Sequence, residues 1–455
     1  MDETELQQRL TRLAERTAPP PRAGLTEVVV ARHRRQRRQA VGVAALAAAV
    51  AAVVVAVPVL TGGTSDVPTA ASAAGSAAVG DVLSGPARGS LAGDAGFLEG
   101  VRQLPWTSPD FSGGIPAAPV DTRRVIFAGD VAGARWALVT GEVLSPEEPG
   151  DVAIAWFAGP VGAAPDQMRL DSVPYGVDPD LPLARSDGST GALVVLAAPG
   201  DTVEVSARPD VAADGSVSRV YEPVDAPDGV AVTALPSTTG TWAARYRVER
   251  AGAAVVQSTP DGVAGAQQTL ADVPVDWLRG RPTPGDDPMV RSAIDGVLVE
   301  TGLTAGDVTA TGLWIGEVAG PHDRRARVVL LAVTLPSGAV YLTAPFEWTE
   351  ADGSGISGSC GTSIEPAGVP LEQRALAVRC DVYDDGQAPG GGSSLVVLAP
   401  GSGTARVVDM TGVELADVPL VDGSTVVPAP ERAAAVEVSG RDERLRLLST
   451  ADLGD

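Results

Sequence analysis

The chain contains no lysine and no asparagine, so all 34 of its basic residues are arginine. Without Asn there is no acceptor for N-glycosylation. Together with abundant Ala, Gly, Val and Pro, this usage reflects GC-rich coding rather than a function. Histidine is almost missing, with His33 and His322 the only two. A nucleophile–base–acid triad would depend on His322, and no Gly-x-Ser-x-Gly elbow accompanies it. There is no His-Glu-x-x-His, no phosphate-binding loop and no dinucleotide fingerprint. Asp381, Asp384 and Asp385 precede Gly386, but the spacing and closing Glu of a calcium loop are absent, and a solvated acidic turn is expected. The residues therefore predict no catalytic, cofactor or metal site, and a non-enzymatic protein. Aromatics make up 4% of the chain. Trp136, Trp156, Trp242, Trp314 and Trp348 fall in predicted strands, where core packing is their expected role.

The most informative stretch is a run without charge. Ala40 to Leu60 holds 21 residues and no ionisable group, enough helix to cross about 30 Å of hydrocarbon. Arg32, Arg34, Arg35, Arg37 and Arg38 stand just before it. Residues 1–39 carry nine Arg against five acids, a net of +4, so the rest of the −23 chain carries −27. Positive charge is retained on the cytoplasmic side. The pattern predicts one plasma-membrane span at 40–60, a cytoplasmic N-terminus and an exported C-terminal region. A cleaved signal peptide fits less well, because the basic segment and the apolar run are both too long. Ala44, Ala48, Ala52 and Ala56 form a small-residue stripe able to pack a second copy in a homodimer. The acidity of the exported part argues against nucleic acid as a partner.

Before the span, Leu6, Leu10 and Leu13 recur at helical spacing, with Asp2, Glu3 and Glu5 in the first turn and Pro19-Pro20-Pro21 closing the segment. Residues 1–39 thus read as a basic arm with a short amphipathic helix. Such a helix is marginal alone in water, so its Leu stripe is expected to meet a cytoplasmic protein partner, while the Arg cluster meets the lipid bilayer. After the span, residues 61–95 are mainly small residues and read as a flexible linker.

From residue 96 onward, short runs rich in Val, Leu, Trp and Tyr alternate with Gly, Pro and Asp, a mainly β pattern. Only Ser292 to Thr301 and Gly96 to Val101 read as helical. The region repeats itself. Phe127 to Gly133 corresponds to Trp314 to Gly320, Leu193 to Ala197 to Leu395 to Ala399, and Asp228-Gly229 to Asp422-Gly423. The matched points lie 187 residues apart at Gly129 and Gly316 and 202 apart at Leu193 and Leu395. A period this long predicts two tandem β-sandwich-like repeats, at 96–278 and 290–455, joined by a linker at 279–289. The second is longer by 15 residues, in the part that holds Cys360 and Cys380. An even cysteine count in an exported region predicts one disulfide, worth roughly 3 kcal/mol for a loop of this length, here as a staple on an added loop.

In layout the chain resembles single-pass actinobacterial membrane proteins that act as anti-sigma or sigma-associated regulators of extracytoplasmic-function sigma factors. The features that carry the resemblance are the acidic-start helix, the Pro break at 19–21, the Arg cluster, the Ala/Val span and the long exported β region. Residues 1–39 contain no Cys, so the zinc-binding His-x-x-x-Cys-x-x-Cys pattern of that family is not present. The resemblance implies a sigma factor as the cytoplasmic partner and an extracytoplasmic ligand, of a kind the sequence does not specify, for the β repeats. The alternatives are an exported structural or adhesive module with a passive anchor and, least supported, an exported hydrolase.

Overall fold

A computed structural model describes residues 82–83, 85–108, 115–143, 152–236, 242–263, 273–320, 324–349, 355–382, 392–440, 444–448, 451 and 453. The arm with Leu6, Leu10 and Leu13, the Arg cluster at 32–38, the span at 40–60 with its Ala stripe, and His322, Asp384 and Asp385 lie outside the described residues. Among the described residues no helix is long and apolar enough to cross a membrane.

The first series of elements opens with helix α1 (Ala95–Arg102), capped by the Asp94 carboxylate on the Phe97 N–H. Strands β1 (Arg124–Val131), β2 (Ala134–Glu142) and β3 (Val152–Pro160) follow, then the short β4 (Arg169–Leu170) and β5 (Tyr175–Val177). These five form an antiparallel meander sheet. Next come β6 (Leu183–Asp187), β7 (Ala192–Leu196), β8 (Thr202–Ser206), β9 (Pro209–Val211), β10 (Val217–Arg219), β11 (Glu222–Val224) and β12 (Val230–Ala234). The series closes with β13 (Arg245–Arg250), β14 (Ala253–Ser258) and β15 (Asp261–Val263). A middle sheet runs β12-β7-β6-β15, an outer sheet runs β11-β8-β13-β14, and β9 and β10 make a separate hairpin.

The second series repeats this plan. It comprises β16 (Val275–Trp277), helix α2 (Asp287–Thr301), β17 (Thr309–Ala319), β18 (Arg325–Thr334), β19 (Val340–Thr349) and β20 (Gly355–Glu365). Then follow β21 (Leu376–Asp381), β22 (Ser393–Leu398), β23 (Gly403–Val408), β24 (Glu414–Leu420), β25 (Ser424–Pro428), β26 (Ala435–Val438) and β27 (Arg444–Arg446). Its meander sheet is β16-β17-β18-β19-β20, its middle sheet β21-β22-β25 and its outer sheet β24-β23-β26-β27.

Each series stacks a helix and three sheets, one layer more than the two-sheet sandwich expected from sequence. The alternation of side chains along a strand explains the stacking. On β2, Ala137 and Val139 pack with Phe97 and Val101 of α1, while Trp136 and Leu138 face the middle sheet. On β7, Val194 and Leu196 face the meander sheet and Leu193 and Val195 face the outer sheet. The second series uses the same parity. Val329 and Leu331 of β18 meet α2, Val328 and Leu330 meet the middle sheet, and Leu395 and Val397 of β22 meet the outer sheet. Strands buried on both faces must be apolar at every position, and for this reason they read as unbroken hydrophobic runs.

Part of the predicted flexible linker is folded. Val82 and Leu83 are buried in the first core, and Arg88 bridges Phe127 in parallel, as β16 pairs in parallel with β17 in the second series. The sequences agree once this is seen, since Asp-Val-x5-Arg-Gly occurs at both 81–89 and 272–280. Arg88 Nη1 donates to the carbonyls of Ala197 (2.8 Å) and Asp228 (3.1 Å), and Arg279 Nη2 reaches the Ala399 carbonyl at 3.5 Å. The stretch 279–289 is likewise not a spacer: Asp286 within it is buried, and α2 begins at Asp287.

The two series meet directly. Among the described residues the β9–β10 hairpin has no counterpart in the second series. Within it Ala213 accepts from the Ala367 N–H (2.7 Å), and Val211 packs into the core under α2. Arg219 Nε donates to the Leu453 carbonyl at 3.1 Å. Residues 75–455 form one compact unit.

Candidate functional site

Of the residues singled out by sequence, the described ones are the cysteines, Asp381 and the tryptophans. Cys360 and Cys380 form the disulfide, with Cα atoms 4.5 Å apart. It does not staple an added loop. Cys360 lies on β20, the last strand of the meander sheet, and Cys380 on β21, the first strand of the middle sheet. Asp381 is held by Arg379 (Nε to Oδ1, 3.0 Å) and accepts from the Ser393 hydroxyl. Trp136, Trp156, Trp314 and Trp348 are buried as expected. Trp242 is not: it is 63% exposed and sits in a turn before β13 rather than in a strand.

Three places concentrate polar chemistry. The first is an open groove at one end of the second meander sheet, lined by Glu317, Arg324, Arg325, Arg327, Glu347 and Trp348. The register sets Glu317, Arg327 and Glu347 side by side on neighbouring strands. Arg327 turns to Asp286, with Nε to Oδ1 at 2.8 Å and Nη2 to Oδ2 at 3.0 Å. That guanidinium holds the Asp286 carboxyl down at about 2, helped by the N–H and hydroxyl of Thr283 against the opposing effect of burial. The equivalent Arg135 pairs across strands with Asp130 instead (2.7 Å) and lies over the Phe97 ring. The guanidinium of Arg324 lies 5.7 Å from the Trp348 ring centre and donates to the Thr349 carbonyl.

The second place is the outward face of the first outer sheet. Arg247 donates to Glu204 (2.6 Å) and stacks over the Tyr221 ring at 4.7 Å. Exposed Trp242 borders the same sheet, with its carbonyl accepting from Arg245. In the second series the pair is reversed in sign: Arg406 faces Glu437 in register, as Glu204 faces Arg247. Arg406 also meets Glu414 (3.2 Å), and Glu437 meets Arg444 (3.7 Å), so charge pairs cover that face.

The third place is the join between meander and middle sheets. In the first series the Asp171 N–H donates to the Trp156 carbonyl, which puts Asp171 opposite Trp156. Register places Cys360 at the equivalent rung, opposite Ala344 between the pairs Thr343–Thr362 and Pro345–Ser359. Asp171 accepts from Arg185 of β6 at 2.7 Å, and the guanidinium lies 5.9 Å from the Trp156 ring centre. Burial pushes the Asp171 carboxyl up despite the attraction of Arg185. The same rung of the meander sheet is therefore tied to the middle sheet in both series, by an ion pair to Arg185 in the first and in the second by a disulfide to Cys380, two residues along β21 from Val378, the counterpart of Arg185. Pattern reading found the cysteines but not their partner rung, because an Asp and an Arg 14 residues apart carry no motif.

Among the described residues no group of three His, Cys, Asp or Glu side chains is placed to hold a metal ion. The groove and the outer-sheet face offer guanidinium, carboxylate and indole groups, which suit non-covalent recognition. No protein-family model matches the chain, and comparison with curated proteins finds no match either.

Proposed function

We propose that the chain is a single-pass plasma-membrane protein whose two tandem β repeats lie outside the cytoplasm and act without catalysis, binding a ligand or sensing the envelope. The arm at 1–39 contacts a cytoplasmic protein, with a sigma factor the partner that its layout suggests. The observation that carries this reading is the segregation of charge about the uncharged 40–60 stretch, +4 before it and −27 from residue 40 onward, since basic flanks stay cytoplasmic. The Cys360–Cys380 disulfide supports it, because such bonds persist in oxidising compartments. The outer-sheet face with Tyr221, Arg247 and exposed Trp242 is the surface we assign to the extracytoplasmic ligand.

Protease added to intact cells expressing the protein tests the topology. Digestion of everything beyond residue 60 with the arm protected is expected. A full-length protected chain, or one recovered in the cytosolic fraction, overturns it. A pull-down with residues 1–39 then tests the partner.

A passive anchor for a structural or adhesive module is the second reading. It is favoured by the outward face of the second outer sheet, which is covered by its own charge pairs. Exchanging residues 1–31 for an unrelated sequence separates the two: a passive anchor keeps its phenotype and a regulator loses it.

A further inference from the structure

The duplication supplies an internal control for the disulfide. At the rung that joins meander to middle sheet, the first repeat uses Asp171 and Arg185, and the second uses Cys360 and Cys380. The architecture therefore closes at this rung without a covalent bond. The strand carrying Cys360 is one of the two edge strands of its sheet. Among the described residues no strand pairs with the outer side of β20, and its Thr362 hydroxyl accepts from the Ala451 N–H at 2.7 Å. Its residues are mostly half-exposed, whereas β18 is buried along most of its length. The ladder between β19 and β20 slips between Thr343 and Pro345, opposite Cys360 itself. Beneath the rung lies the core between the two sheets, with Trp348, Ile356, Leu376 and Val378.

We propose that the Cys360–Cys380 disulfide is a redox-responsive clasp, whose reduction by a dithiol frees β20 from β21 and opens the second repeat while the first, tied by its ion pair, stays closed. The chemistry is thiol–disulfide exchange. A thiolate of the dithiol attacks Sγ of Cys360, the more accessible of the two at 9% exposure against 0% for Cys380. The S–S bond breaks and Cys380 leaves as a thiolate, which takes up a proton. The second thiol of the reductant then attacks the mixed disulfide and releases Cys360. Two electrons and two protons pass to the protein, and the reductant becomes a cyclic disulfide. This deepens the sensing reading by naming a stimulus, but it concerns the β region alone and does not depend on which side of a membrane that region occupies.

The test is amide hydrogen exchange on the full-length protein in detergent, oxidised and after dithiothreitol without denaturant. Exchange about tenfold faster across 356–364 and 376–381, with 169–187 unchanged, is the expected result. Equal exchange in both states overturns the proposal, as does loosening of 169–187 to the same extent, which signals general unfolding. Thiols that stay closed to iodoacetamide after dithiothreitol overturn it as well. The triple variant Cys360→Asp, Val378→Arg, Cys380→Ser moves the ion pair of the first repeat into the second. Its exchange is expected to be indifferent to dithiothreitol. A dithiothreitol response that persists in this variant, which has no cysteine, places the effect outside the disulfide and refutes the clasp. Membrane topology is read by none of these measurements, so their failure leaves the topology test standing.

Discussion

Two carboxylates on homologous scaffolds respond to pH in opposite senses. Asp286 is held at about 2 by Arg327 and Thr283, below its ordinary 3.8. A depressed folded-state value means that its contribution to stability is complete above about pH 4 and is lost as pH falls toward 2. Asp286→Asn is expected to cost about 1.5–3 kcal/mol at pH 6, the usual worth of a hydrogen bond to a charged group. The gap to the wild type should close near pH 2, as read by urea unfolding at several pH values. Asp171 moves the other way, because burial disfavours its ionised form. The folded chain then holds this proton more tightly than the unfolded one, so Asp171 favours folding below its unfolded value and ceases to do so as pH rises through its raised folded value. Its side-chain partner Arg185 is only 4% exposed. Asp171→Ala strands that charge and is expected to cost about 3–5 kcal/mol, whereas the double variant Asp171→Val, Arg185→Val should lie within about 1–2 kcal/mol of the wild type. The second repeat already carries the apolar solution, with Val378 at the register position of Arg185. A double variant as damaged as Asp171→Ala alone would contradict that equivalence.

The turns between β11 and β12 and between β24 and β25 show what duplication preserves among the elements. Gly229 (φ 77°) and Gly423 (φ 74°) both sit in the left-handed region, each with the place of a Cβ 2.4 Å from a carbonyl oxygen, of Ala197 and Ala399 respectively. Gly229→Ala and Gly423→Ala are each expected to destabilise by about 2 kcal/mol through strain and overlap, and thermal melts of the two variants should shift alike. These turns were legible because Asp-Gly recurs at matching places. The two helices were legible as well, although α2 begins five residues before the periodic run because Asp287 and Pro288 supply its first turn. The opening segment of each repeat, an isolated bridge at Arg88 in the first and β16 in the second, was not. Residues 82–88 hold Gly, Pro and Ser with little apolar run, and the place of Arg88 is fixed by its reach across to the middle sheet. Composition assigns such a segment to a tether; only the repeated Asp-Val-x5-Arg-Gly betrays it. The third sheet was hidden for a different reason. A strand buried on two faces, such as β7 or β22, looks the same in sequence whether its second face meets a helix or another sheet.

At the scale of the molecule, a short joint between modules leads one to expect two bodies moving independently. The β9–β10 hairpin works against that. It adds a backbone hydrogen bond from Ala367 to Ala213, an apolar contact at Val211 and the reach of Arg219 to Leu453. Gly302, at the end of α2, also packs on Arg208 and Ala243 of the first repeat. Contacts of this kind couple the global unfolding of the two repeats, since neither can unfold completely without uncovering surface on the other, whereas freeing β20 from β21 is a local opening within the second repeat. Replacing residues 209–219 by a Gly/Ser segment of equal length removes the hairpin while leaving β8 and β11 able to pair in the outer sheet. Calorimetry of the wild-type region is expected to give one transition and the replacement two, with the second repeat losing the cover that Val211 gives the core beneath α2. Reduction by dithiothreitol should then lower only the transition belonging to the second repeat, which holds the sole disulfide. A single transition in the replacement would mean that the α2 contact at Gly302 suffices to couple the repeats and that the hairpin is incidental to their union.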